Sequence, residues 1–240
     1  MALADGGTWR VQQLGRQLAQ SALEAAYGQL SQVAGELDAI ALLRPTRCAG
    51  WAVCDVLYHE LLDARRALRT FASPATAAPD RDDISYWQPF SPGGEIPPGG
   101  EEAAAHARHV RIAASAYSPG ELVWEWTETA DAVCRAARAC SHELVATQGH
   151  VLRTADFLGT LVVEAAVHYL DLTVDLPGAP PPDPLPLRLV RRVLDGLLGG
   201  LPPDGWDEQA YALKGTGRLP LSDADRTELG PAAELFPLFG

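Results

Sequence analysis

Glu164 and His168 interrupt an otherwise apolar run, Leu161-Val162-Val163-Glu164-Ala165-Ala166-Val167-His168-Tyr169-Leu170. A buried carboxylate is costly unless it is ion-paired, hydrogen-bonded or bound to a metal. The run reads as helix, where a four-residue spacing sets Glu164 and His168 about one turn apart on one face. Asp171, three residues further on, shares that face. Two candidate metal ligands, and a carboxylate able to orient one of them, therefore stand where a core helix should carry apolar side chains. The spacing alone also fits a core helix whose Glu and His are paired with partners elsewhere in the chain.

A second segment bears on that choice. Over residues 44–59, Pro45 and Gly50 break the chain and a helix is expected to start near Trp51 and run to about residue 71. Asp55 lies in its first turn, where negative charge suits the helix dipole. His59 follows one turn later among Val56, Leu57 and Leu62. Taken alone it reads as a core histidine. If it meets Glu164 and His168 across a bundle, the set is two imidazoles and one carboxylate, the three-ligand form with an open position that catalytic zinc uses.

The pattern Pro45-Thr46-x-Cys48-x-Gly50-Trp51-x-Val53-x-Asp55-Val56-Leu57-x-His59, followed about a hundred residues later by Val162-Val163-Glu164-x-x-Val167-His168-x-x-Asp171-Leu172, resembles the DinB-like superfamily and, within it, the mycothiol-dependent maleylpyruvate isomerase family. The resemblance spans roughly residues 8–177. It implies a mainly α fold: a DinB-like four-helix bundle with a divalent metal, usually zinc, on His59, Glu164 and His168, followed here by a small C-terminal α+β appendage. It also implies mycothiol as a thiol cosubstrate that adds to an electrophilic double bond or displaces a leaving group. The tail, with Gly215-Thr216-Gly217-Arg218-Leu219-Pro220-Leu221, looks like the C-terminal segment of shorter members. Two positions depart from the family pattern. Ala52 stands where Ser or Thr often caps the helix, which removes that cap. Leu161 stands where many members carry Arg, so a substrate held by that Arg is not expected to be shared.

The chemistry follows from the donor set. Two neutral imidazoles and one carboxylate leave a bound dication with net charge near +1, which favours an anion at the open position. A thiol there is favoured as its thiolate, the nucleophilic form of sulfur. Asp171 is placed to orient His168 through its other ring nitrogen. No side chain stands out as a protein nucleophile. The expected activity is a metal- and thiol-dependent S-transferase or isomerase acting on a small electrophile. A metal-dependent hydrolase and a non-catalytic metal- or small-molecule-binding scaffold are the alternatives.

The net charge of −12 argues against nucleic acid or an anionic membrane as partner. Cys48, Cys54, Cys134 and Cys140 lack a zinc-ribbon spacing, and residues 1–7 lack the pattern of a secretory signal. A cytoplasmic location with free thiols is expected.

Along the chain, residues 8–40 suit one long helix, and 72–100 form a long irregular segment rich in Pro and Gly. Tyr86 and Trp87 within it favour a lid or substrate wall. Residues 101–116 read as helix, with His106 and His109 facing solvent, and 121–146 as the third bundle helix, with Trp124, Val133 and Leu144 among its apolar positions. Thr154 is an expected N-cap for the last bundle helix. The expected division is a bundle over 1–177, a stiff Pro-rich connector over 178–186, and a C-terminal subdomain over 187–240 packed on the bundle. The subdomain is expected to hold a helix bearing surface-facing Arg188, Arg191 and Arg192, a small hairpin over 206–219, and a short helix capped by Ser222 and Asp225.

Overall fold

Apolar side chains at helical spacing build four long helices that pack as a bundle. They are α1 (Arg16–Gly35), α2 (Val53–Phe71), α4 (Pro119–Ala139) and α5 (Thr154–Thr173), with α3 (Glu101–Ala114) between the second and third of them. The structure is a computed structural model and describes residues 12–96 and 100–240. The first seven residues and the start of the expected first helix, 8–11, lie outside the described residues. In the bundle α1 packs on α4 and α5, and α2 packs on the same two, while α3 rests on α2. Among the described residues no helix is long and apolar enough to cross a membrane.

The helix ends follow local chemistry. Ser118 and Glu121 form a reciprocal box at the start of α4, with Pro119 in the first turn. At the start of α2, Ala52 offers no capping oxygen, but the Asp55 carboxylate accepts the Ala52 N–H at 2.9 Å and closes that turn from within. The first helix begins at Arg16, whose guanidinium donates to the Cys140 and His142 carbonyls. Residues 12–15 are not helical.

α5 is buried on nearly every side, from Thr154 to Leu172. A helix apolar all round needs cover all round, and its bundle neighbours α1 and α2 cannot supply it. The C-terminal segment completes the cover. Helix α6 (Pro184–Leu198) lies on α5 and α1, and α7 (Glu208–Gly215) packs on α6 and touches α5. A last helix, α8 (Asp223–Leu229), is closed by the expected Ser222–Asp225 box.

Several expectations are corrected. α4 stops at Ala139, and residues 144–153 form an antiparallel hairpin of β1 (Leu144–Thr147) and β2 (His150–Arg153). Its two-residue turn has both Gln148 (φ 48°) and Gly149 (φ 81°) in the left-handed region, the geometry that matches strand twist. Trp124 is 61% exposed rather than part of the core. Thr154 is the first helical residue, and its hydroxyl turns back to the His142 and Glu143 carbonyls. The Pro-rich connector is shorter than its composition suggests, because Asp183 caps a helix whose first turn contains Pro184 and Pro186. Proline is tolerated there, where amide N–H groups have no helical partner. Residues expected as a hairpin over 206–219 instead form α7, capped by Asp207. Gly217 (φ 73°) ends that helix. The described C-terminal segment is therefore helical, and the one sheet among the described residues belongs to the bundle region.

Of the three arginines expected at the surface, Arg188 is exposed, whereas Arg191 and Arg192 turn inward. Arg192 grips the buried Asp83 carboxylate at 2.6 and 3.2 Å, and Arg191 lies over the Tyr211 ring. This pair pins the long 72–96 segment to α6. Removing one partner of a buried ion pair strands the other charge. Arg192→Ala should therefore lower unfolding free energy by about 3 kcal/mol in urea titration. Replacing both partners, as Asp83→Asn with Arg192→Leu, should cost less.

Candidate metal centre

The turn before α2 sets the first half of the site. Gly50 (φ 79°) lets the chain reverse, the Thr46 amide donates to the Trp51 carbonyl at 3.1 Å, and the Thr46 hydroxyl caps the Cys48 amide. The Arg47 amide donates to the Asp171 carbonyl on α5, which sets the start of α2 against α5. His59, on the second turn of α2, then faces Glu164 and His168.

His59 Nε2 lies 2.8 Å from Glu164 Oε1, and His168 Nε2 lies 3.5 Å from the same oxygen. One ligand atom from each of the three residues falls within 4.8 Å of the others. The two imidazoles meet edge to face at 4.8 Å, and Trp51 closes one side, its ring 5.3 Å from His59 and stacked 6.4 Å from His168. Two imidazole nitrogens and a carboxylate oxygen converging from two helices are a donor set suited to zinc and similar divalent ions. The residues present fit the group that the spacing suggested.

Each donor is braced. His168 Nδ1 is 3.0 Å from Asp171 Oδ2, so Nε2 is the ring nitrogen turned toward Glu164. Burial disfavours charge on His168, but Asp171 and Cys48 outweigh it and hold its pKa well above the usual histidine value. Burial likewise opposes ionisation of Glu164, and hydrogen bonds from His168 and His59 overcome it and keep its pKa well below the usual value. Asp171 has no solvent exposure. Burial raises its pKa, yet His168 and Arg218 hold it far below the carboxylate range. Arg218 reaches in from the turn after α7 and donates to both Asp171 oxygens at 3.0–3.2 Å. The Cys48 thiol donates to Asp171 Oδ2 at 3.1 Å. Cys48, His168 and Asp171 also converge as a possible donor set, but the guanidinium on Asp171 sets a positive charge where a cation would have to sit.

Two further groups border the site. Glu60 is fully buried beside His59, and neither of its oxygens has a partner among the described residues. Burial pushes its pKa well up. His106 was expected to face solvent, and its side chain is exposed, yet its Nε2 lies 3.2 Å from His59 Nδ1. His109 is exposed.

Tyr86 and Trp87 are both buried. The Tyr86 hydroxyl accepts from Arg66 and donates to Gln148, while Trp87 packs on Phe239 at 4.6 Å. As placed they tie the long segment to the hairpin and the C-terminus. Leu161, at the position that departs from the family pattern, is buried as an ordinary core residue. The roles of Trp51, Cys48, His106 and Arg218 were missed in the sequence. Trp51 and Cys48 lie inside the motif around His59, and Arg218 directly follows the Gly215–Gly217 turn. Nothing in the sequence around His106 signals its contact.

A family model described as the mycothiol maleylpyruvate isomerase N-terminal domain matches residues 23–173, more than half of the chain. No curated protein and no solved structure matches the chain.

Arg218→Ala should leave the Asp171 carboxylate buried without its cation, and lower stability by about 3–5 kcal/mol in chemical denaturation. Arg218→Lys should recover only part of this, because an ammonium cannot reproduce the fork.

Proposed function

The chain belongs to the mycothiol maleylpyruvate isomerase family through its N-terminal domain, and on that premise we propose that it is a metal-dependent S-transferase or isomerase using a low-molecular-weight thiol, mycothiol, on a small electrophile. The observation that carries the reading is the convergence of His59 Nε2, Glu164 Oε1 and His168 Nε2 from two facing helices. Zinc is the ion we assign to them. When bound, it supplies the positive charge that lowers a thiol pKa and keeps sulfur in its nucleophilic form near neutral pH.

The chain's own residues supply the rest. Asp171 holds a proton on His168 Nδ1 and so presents Nε2 as a donor atom. Arg218 cancels the charge of Asp171, so the brace does not compete for the cation. Trp51 screens one side of the pair of imidazoles from water. We assign Tyr86, hydrogen-bonded to Arg66, to the wall that receives the electrophile. Trp87 stands behind it as support. The missing Arg at Leu161 argues for an electrophile other than one that an Arg at that position would hold. The four free thiols fit a reducing cytoplasm.

Purified protein should carry about one zinc per chain and consume mycothiol in the presence of an activated electrophile. His168→Ala should lose both the metal, read by elemental analysis, and the turnover. A metal-free wild type with undiminished thiol transfer, or a loaded protein that never consumes thiol across a panel of electrophiles, would overturn the reading.

A further inference from the structure

His59 is contacted at both ring nitrogens. Nε2 faces Glu164 Oε1, and Nδ1 faces His106 Nε2 across 3.2 Å. An imidazole that offers one nitrogen to a cation carries its proton on the other. When Nε2 binds the cation, His59 Nδ1 carries the proton, and His106 Nε2 is the acceptor in line with it. The arrangement parallels Asp171 on His168, so each imidazole of the site has its outer nitrogen held.

His106 also matters to the helix that carries it. The only residues of α3 that are buried are Val110 and Ala114, both in its C-terminal half. Beyond that end, Tyr117 packs on Tyr58 and accepts from Arg65. The N-terminal half has no buried residue. There the His106 ring lies 5.3 Å from His59, edge to face, and 6.3 Å from Trp51.

We propose that His106 is a positioning residue for the metal centre, holding the His59 ring for its ligand role and coupling the docking of the N-terminal half of α3 to metal occupancy. The proposal rests on the assignment of His59 as a ligand. The coupling is reciprocal by thermodynamic necessity. A contact that favours the metal-ready ring is itself favoured when metal is bound. α3 then acts as a flap whose closure reports, and is reinforced by, the ion beneath it.

The test uses the full chain as wild type, His106→Ala and His106→Gln, stripped of metal and titrated with zinc against a competing chelator. Hydrogen exchange over residues 101–110 is followed with and without zinc. His106→Ala should bind zinc about 10-fold more weakly, and zinc should no longer protect residues 101–110. Because His106 is exposed, the variant should keep the wild-type thermal melt. In His106→Gln the amide oxygen can accept from Nδ1–H, and most of the affinity should return. Equal zinc affinity in the Ala variant with protection of 101–110 retained overturns the proposal, as does a loss that Gln restores in no part. Those outcomes leave the metal centre standing. A wild type that takes up no zinc removes the ligand assignment and the proposal with it.

Discussion

The site depends on one carboxylate that has no access to water. Asp171 is ionised at zero exposure because three groups converge on it: the His168 ring, the Arg218 guanidinium and the Cys48 thiol. They come from α5, from the turn after α7 and from the loop before α2. A buried anion of this kind is tolerable only when fully compensated. Asp171 therefore binds three distant stretches of chain to one point. The same constraint orients His168, so the charge that organises the tertiary structure also sets the donor atom of the site.

α5 states the constraint more broadly. It is buried along almost its whole length, yet it carries Asp156, Glu164, His168 and Asp171. Each has a partner supplied by another part of the fold or by a neighbour on its own helix: Arg153 for Asp156, His59 for Glu164, Arg218 for Asp171. The C-terminal helices cover the outer face of α5 and also supply one of these partners. The family match ends at residue 173, while Arg218 and the α6 cover lie beyond it. In this chain the segment after the matched domain is part of the architecture that holds the site.

Around the three donors the environment is graded. Trp51 packs against both imidazoles on one side, and Glu60 lies buried next to His59. His106, on a lightly anchored helix, faces the solvent side. The protein thus presents one imidazole held by a rigid, fully buried ion pair and another held by an exposed ring.

Much of the site was legible in the sequence because its signals are local. An ionisable pair at a four-residue step inside an apolar run can only be a helix face that needs compensation. The Pro45–His59 pattern marks a turn and a helix start by glycine, proline and charge chemistry alone. The extents of α2 and α3 and the Ser222–Asp225 cap of α8 are readable for the same reason. The hairpin at 144–153 was not, because Gln148-Gly149 is a weak turn signal and the strands join residues 73–75 far back in the chain. Nor was α7, where an aspartate cap and contacts with α6 outweigh two glycines. By itself the sequence determined which residues are candidate donors and which helices present them, since periodicity and capping act over a few residues. Only the tertiary structure decided what compensates those charges. Arg218 on Asp171, Arg192 on Asp83 and His106 on His59 are pairings across long stretches of chain, set by how helices pack and which buried charge each cation can reach.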